Sequence, residues 1–271
     1  MKPSALAPVP DVKRQNENLN YFAHLGAIDN PTALKKHRVY VFGSKLDGTV
    51  YFPVTAALMD FYREHLPKGQ YLFDRHKSAA HAFISPFAPR KNACERAKLP
   101  PYVNHCGGFD TAKNIFEHIY GANGEIAPPE KYPEKPEIGT LYAFPQGEFT
   151  PAKPAAISLA ETGYLYVPKN CEPGNCRLML ALHGCGQNAA LIADAFLRTS
   201  GLIQWAATNR TIVLFPQVAE RLGYSPSTNN TILNPYACWD WWGYTTKDFV
   251  SKDAPQLKTL HKMVQRLRGR I

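Results

Sequence analysis

The stretch Leu180-Ala181-Leu182-His183-Gly184-Cys185-Gly186-Gln187 decides how the rest of the chain is read. It follows an apolar run from Arg177 to Leu182 and precedes a helical pattern. A strand that ends in His-Gly, with a second glycine soon after, turns sharply and leaves backbone N–H groups pointing into the space above the sheet. That is how an oxyanion hole is built. Junctions of strand, glycine and helix also arise for packing alone, so the flanking segments have to decide between the two.

Downstream, Ala189 to Thr208 reads as one long helix and Thr211 to Phe215 as a buried strand stopped by Pro216, which makes a βαβ unit with a parallel sheet. Upstream, Thr140 to Phe144 and Thr162 to Val167 read as antiparallel strands. A polar loop is expected from Ala219 to Leu233, then Asn234-Pro235-Tyr236-Ala237-Cys238-Trp239-Asp240-Trp241-Trp242-Gly243-Tyr244. Three of the four tryptophans lie within four positions there. Tryptophans this dense cannot all point one way, so some of them face a groove or a partner. Lys252 to Arg268 is the last expected helix, with Leu257, Leu260, Met263, Val264 and Leu267 at helical spacing.

The N-terminal half has its own order. Arg38 to Phe42 reads as a strand ending at Gly43, and the turn Ser44 to Val50 places Asp47 just past the strand's C-terminal end, the edge where α/β sheets gather functional side chains. Pro53 to Leu66 is helical, closed by Pro67-Lys68-Gly69; Gln70 to Phe73 is a short strand, followed by a loop with His76 and His81. Strand, acid, helix, strand, histidine is the order in which an α/β hydrolase supplies the second and third members of its triad. Taken singly, Asp47 is a common turn residue before glycine and His81 an ordinary loop histidine. Residues 82–110 form a long loop, and Thr111 to Tyr120 an amphipathic helix with Asp110 as N-cap.

The segment Ala122 to Glu137 is linker-like. It reads as a connection between two halves, 31–121 and 138–271, of one domain, because neither half carries enough strands to stand alone. Residues 1–30 are expected to be flexible, with Tyr21 to Ile28 a remnant of helix or loop.

The chain of 271 residues is 45% hydrophobic and carries 31 Lys and Arg against 22 Asp and Glu, a formal charge of +9. The bases are scattered apart from Lys35-Lys36-His37-Arg38 and the end from Arg266 to Arg270, so the surplus reads as solvated surface and no nucleic-acid partner is expected. No stretch approaches the ~20 apolar residues of a membrane span, and no run of ~7–15 apolar residues near the N-terminus makes an export signal. The six cysteines fall in close or motif-linked pairs, Cys94 with Cys106, Cys171 with Cys176, and Cys185 with Cys238. Their even number and the short Cys171–Cys176 loop point to disulfides and an oxidising compartment, although six cysteines allow about fifteen pairings. No CxxC or HExxH spacing occurs, so neither a metal nor an organic cofactor is expected.

Together, Leu182-His183-Gly184-Cys185-Gly186-Gln187, Asn234 to Trp241, and Tyr164-Leu165-Tyr166-Val167-Pro168 resemble the poly(3-hydroxybutyrate) depolymerases. The likeness runs from about Arg38 to Leu267 and is strongest from Gly163 to Gly243. It implies an α/β-hydrolase-like three-layer sandwich and a secreted or periplasmic esterase acting on polyester. Because the acid and histidine segments precede the Trp motif, it resembles the circularly permuted members. The resemblance assigns Asp47 as the acid, His81 as the histidine, the amide of Cys185 as an oxyanion donor, and Trp239, Trp241, Trp242 and His183 as substrate-facing residues. It also implies a bridge between Cys185 and Cys238, tying the oxyanion loop to the Trp loop.

One feature of the pattern is not in the sequence. The family's nucleophile lies in a Gly-x-Ser-x-Gly-like elbow, and none occurs in these 271 residues. Ser44 sits on the acid turn, and Ser78, Ser85, Ser200 and Ser225 have no elbow either. The expectation is therefore an incomplete α/β-hydrolase-like fold lacking the elbow strand, serine and helix, with little activity of its own on polyester. Two other readings stand beside this: a serine esterase of the same fold acting on aryl or short-chain esters, and a polymer-binding relative without catalysis.

Overall fold

The computed structural model describes residues 8–129, 139–171, 175–225 and 229–269. Of the expected features, the first seven residues, the second half of the 122–137 connection, the centre of the Cys171–Cys176 loop and the Arg270 end lie outside them. The chain divides into two compact units, one of Met1–Ile126 with Thr199–Gly201, the other of Ala127–Arg198 with Leu202–Ile271. The division falls inside the expected connection, and each unit has its own sheet.

The first unit opens with helix α1, Val12–His24, where Asp11 accepts from the amides of Lys13 (2.9 Å) and Arg14 (3.5 Å). This corrects the flexible N-terminal segment: the proline-rich composition of the first ten residues outweighed an Asp cap followed by a proline-free run. Strand β1, Val39–Ser44, is followed by helix α2, Phe52–His65, and strand β2, Tyr71–His76. β1 and β2 are parallel, in register from Val39 with Tyr71 to Ser44 with His76. Helix α2 and strand β2 leave so little room that a Cβ on Gly43 would meet Thr55 Oγ1 of the helix at 2.5 Å and Phe73 Cε2 of the strand at 2.9 Å. Asn16 fastens α1 to α2, donating to Glu64 at 2.5 Å and bonding His65 at 2.6 Å.

The long 82–110 loop is more ordered than its composition suggests. Strands β3, Phe83–Ile84, and β4, Val103–Asn104, pair in parallel inside it. Buried Asn92 donates to the carbonyls of Leu99, Pro100 and Val103, and buried Asn104 to that of Arg96 at 2.7 Å. Loop carbonyls without ladder partners need such donors. The Cys94–Cys106 disulfide closes the same loop. Helix α3, Thr111–Tyr120, follows with Asp110 as its cap and Phe116 fully buried.

The second unit is built on four strands in the order β5-β6-β8-β7. They are β5 (Gly139–Pro145), β6 (Thr162–Pro168), β7 (Arg177–Leu180) and β8 (Thr211–Phe215). β5 and β6 are antiparallel and β7 and β8 parallel, as the patterning implies, and β6 and β8 pair antiparallel. β8 is buried along its whole length.

The single helix expected from Ala189 to Thr208 is three pieces: α4 (Ala189–Ile192), α5 (Ala195–Thr199) and α6 (Leu202–Thr208). The backbone turns left-handed at Ala193 (φ 51°) and at Gly201 (φ 86°), which interrupts a helical pattern that the side chains alone would continue. The polar loop expected from Ala219 to Leu233 contains a hairpin, β9 (Arg221–Ser225) with β10 (Asn230–Asn234). Its inner residue, Ile232, is buried, while Leu222, Tyr224 and Leu233 face outward. Helix α7, Pro255–Arg268, starts at a proline suited to a first helical turn and packs Leu260 and Met263 against Phe149 and Leu214. No helix among the described residues is long and apolar enough to cross a membrane.

Candidate active site

Asp47 stands in the turn that leaves β1, where its Oδ1 accepts the amides of Thr49 and Val50, each at 2.8 Å. The other oxygen, Oδ2, lies 2.8 Å from Nδ1 of His81. A carboxylate only accepts, so Nδ1 carries a proton, and in the neutral ring Nε2 presents a lone pair. The histidine side chain is 49% exposed and the aspartate 14%. Burial is the largest influence on Asp47 and pushes its carboxyl up; the His81 bond and the amides of Val50 and Thr49 together outweigh it, so the carboxyl ends below its ordinary value. The pair is an oriented imidazole with a lasting counter-charge, which is what a general base requires. Ser44, beside it, is buried and closes the turn, its Oγ accepting from the Leu46 amide at 3.3 Å.

His76, in the same unit, lies with Cys94 and Cys106 within 4.8 Å, close enough for a metal. The donor set does not fit one. The two sulfurs are bonded to each other, and Nδ1 of His76 accepts the amides of Ser78 (3.2 Å) and Ala79 (3.0 Å). That leaves the proton on the other nitrogen, so neither ring atom is free to ligate.

The quoted loop of the second unit is best described by its amides. Gly184 N–H donates to the Gln187 side chain at 2.9 Å, Gly186 N–H to the Tyr236 carbonyl at 2.7 Å, and Gln187 N–H to the Gly184 carbonyl at 3.1 Å. Among the described residues nothing accepts from the Cys185 amide, and Cys185 is exposed. The one free amide of the loop is thus the one the family likeness singles out. The Cys185–Cys238 disulfide joins this loop to the Trp loop, and Cys171–Cys176 is bridged as well.

His183 and Trp239 are not where a substrate-facing role would put them. His183 is 3% exposed, with Nδ1 donating to the Gly184 carbonyl at 2.8 Å and Nε2 accepting the Val218 amide at 3.1 Å. Burial lowers its pKa, with the Gly184 bond working the other way. Trp239 is half-buried, packs against the cores around Leu214 and Val218, and donates its indole N–H to the His183 carbonyl at 3.1 Å. Trp241 and Trp242 do face outward, 62% and 38% exposed, with ring centroids 5.1 Å apart.

The residues that shape the Trp loop escaped the sequence reading. Asn234 brackets the peptide of Cys238, accepting its amide at 2.9 Å and donating to its carbonyl at 3.0 Å. Asp240 accepts the amides of Gly243 (2.6 Å), Tyr244 (2.9 Å) and Thr245 (2.8 Å). Its own amide donates to buried Gln256 of α7. The Asp-x-x-Gly spacing from Asp240 to Gly243 was the available signal, since aspartate before glycine favours such turns; nothing local marks Gln256.

A parallel αβ pairing with an acid after its first strand and a histidine after its second, together with an open amide on a strand-to-helix loop, defines an α/β-hydrolase-like protein. No protein-family model matches the chain. Individual relatives do. It is 32% identical over 255 residues to a poly(3-hydroxybutyrate) depolymerase of Delftia acidovorans, covering 92% of this chain and 46% of that one. It is 32% identical over 176 residues to a polyhydroxybutyrate depolymerase of Talaromyces funiculosus, covering 61% of this chain and 47% of that one.

Among solved structures, a PHB depolymerase serine-to-alanine variant complexed with an R3HB trimer matches with a TM-score of 0.82 at 25% identity, over 96% of this chain and 79% of that one. The crystal structure of PHB depolymerase from Penicillium funiculosum matches with a TM-score of 0.81 at 24% identity, over 95% and 78%. The chain is a homologue of the poly(3-hydroxybutyrate) depolymerases and shares their fold. It spans about half the length of the curated relatives, 46% and 47%.

Proposed function

We propose that the chain carries the acid, the histidine and one oxyanion donor of a carboxylic ester hydrolase acting on poly(3-hydroxybutyrate) or its oligomers. The observation that carries this is the 2.8 Å bond between Asp47 and a half-exposed His81, in a chain whose relatives are named for that polyester. In the first unit, His81 Nε2 takes the proton of an attacking hydroxyl and later returns it to the departing alcohol, while Asp47 orients the ring and stabilises the imidazolium. In the second unit, the Cys185 N–H receives the carbonyl oxygen as it becomes an alkoxide. Trp241 and Trp242 cover the apolar stretches between ester groups. None of the 271 residues forms a Gly-x-Ser-x-Gly elbow, and in this reading the attacking hydroxyl is not one of the serines given. The order of its motifs makes it a circularly permuted member, and the three disulfides, with relatives of this type, fit a secreted or periplasmic protein.

Titrating the chain with a trimer of (R)-3-hydroxybutyrate and following tryptophan fluorescence tests the substrate class. Saturable quenching, weakened about tenfold (~1.4 kcal/mol) by Trp241→Ala, is the expected result. No response to the trimer, beside a response to short aryl esters, would move the substrate to the aryl-ester class.

A further inference from the structure

We infer that buried His183 is the positioning residue of the oxyanion donor: its Nδ1–H holds the Gly184 carbonyl, and through that one rigid peptide it aims the Cys185 N–H. The inference rests on the proposed reading of Cys185 as that donor. Gly184 C=O and Cys185 N–H are the two ends of a single planar unit and point in opposite directions across it. Fixing the oxygen therefore fixes the direction of the hydrogen. The oxygen is held twice, by His183 Nδ1 at 2.8 Å and by the Gln187 amide at 3.1 Å, so both of its lone pairs are engaged. The Cys185 N–H at the other end belongs to an exposed residue and has no acceptor among the described residues.

The ring that does this is itself tied down on its far side. A carbonyl can only accept and an amide can only donate, so the Gly184 and Val218 bonds together require one neutral tautomer, proton on Nδ1 and lone pair on Nε2. Val218 is fully buried and bridged to Leu159, its amide spent on His183 and its carbonyl on the Asn188 side chain at 3.0 Å. The reference point is thus a fully buried residue in an isolated β-bridge beyond the end of β8. Apart from the Gln187 amide on the same carbonyl, the other fastenings of the loop act beyond the peptide in question: the disulfide holds the Cys185 side chain, and the Tyr236 carbonyl holds the next amide, that of Gly186. Donation into the Gly184 carbonyl also polarises the amide and makes its N–H a better donor, the cooperative effect of linked hydrogen bonds. An oxyanion donor needs both direction and strength before charge develops.

Three variants of the whole chain separate positioning from bulk stability. His183→Leu removes both ring bonds; His183→Asn puts an amide nitrogen where Nδ1 was; His183→Gln keeps an acceptor where Nε2 was. Nitrogen-labelled protein is read by NMR at the Cys185 amide, first alone and then with the (R)-3-hydroxybutyrate trimer. The wild type is expected to show the Nδ1–H tautomer at His183. His183→Leu is expected to move the unliganded Cys185 amide resonance and to weaken the trimer response there at least tenfold, with His183→Asn recovering more of both than His183→Gln.

A folded Leu variant with the Cys185 resonance and response unchanged overturns the inference. Should the Leu variant not fold, Gln matching or exceeding Asn overturns it. The two readings fail separately: a trimer that moves no resonance in the wild type defeats the polyester reading, while the shift between unliganded variants still decides the role of His183.

Discussion

Asp47 and His81 meet through their side chains, with half of the imidazole in solvent, whereas the group proposed for the second unit is a backbone amide, that of Cys185, next to the buried side chains of His183 and Gln187. In the proposed reading the difference follows from what each group must do. A base has to change protonation state, so it belongs at a surface where the ring can gain a proton without the full cost of burying a charge. An oxyanion donor changes nothing during reaction and works best when it cannot move. His183 is the same residue type as His81, put to the opposite use: enclosed, neutral and bonded on both nitrogens.

The largest effect separates the machinery present from the attacking group. If the hydroxyl is not among these serines, the chain should accelerate hydrolysis of the trimer over water by no more than roughly 10³–10⁴-fold, the residue left by binding and oxyanion stabilisation. An organophosphate should then label no serine stoichiometrically. A polymer suspension cleared at an ordinary esterase rate, with one serine labelled by mass spectrometry, would break this side of the comparison and name the nucleophile at once.

The fastening of the two units differs by disulfide loop size, and chain entropy ranks the bridges. With separations of 53, 12 and 5 residues, replacing both cysteines by alanine should cost about 4 kcal/mol for Cys185–Cys238, about 3 for Cys94–Cys106 and about 2 for Cys171–Cys176. Denaturant midpoints of the three double variants check the order. A Cys94–Cys106 variant weaker than the Cys185–Cys238 one would mean that the buried asparagine network of the 82–110 loop depends on its bridge.

The side-chain pair should also leave a mark in acid. Because the Asp47 carboxyl lies below its unfolded value, its contribution to stability is present above the unfolded pKa of about 3.9 and is lost as pH falls through the lower folded value. Asp47→Asn should therefore be less stable than the parent at neutral pH, with the gap closing as pH drops below that range. A gap constant from neutral to strongly acid pH would mean that the turn amides, not the charge, set the cost. The smallest effect belongs to the surface. Asp60→Ala removes the exposed Arg63 pair on α2 at 2.6 Å and should change stability by less than about 1 kcal/mol.

How much of this was legible beforehand depended on whether the signal was local. Asp47 and His81 could be singled out because each follows a strand that its own residues specify, Val39 to Phe42 and Tyr71 to Phe73. The paired strands Thr140–Phe144 and Thr162–Val167 were visible for the same reason, alternation over a few residues. The hairpin of β9 and β10 was not, because its outward apolar residues lie among Asn, Ser and Thr in a stretch whose average is polar. The breaks at Ala193 and Gly201 were hidden too, since φ is chosen by what the segment packs against and not by helical spacing. His183 was expected at the substrate from its position in a motif, and the structure buries its side chain.

The amino-acid sequence by itself determined the alternation of strands and helices, the residues able to act as acid, base and oxyanion donor, and the cysteines able to bridge. Each is a property of neighbours within a few positions. Only the tertiary structure decided which histidine is open and which enclosed, which tryptophans face outward, and which amide of the 184–187 loop is left without an acceptor among the described residues. Hydrogen-bond partners such as Val218 for His183 and Gln256 for Asp240 lie 35 and 16 residues away, and no local pattern encodes a bond that closes only when the chain folds.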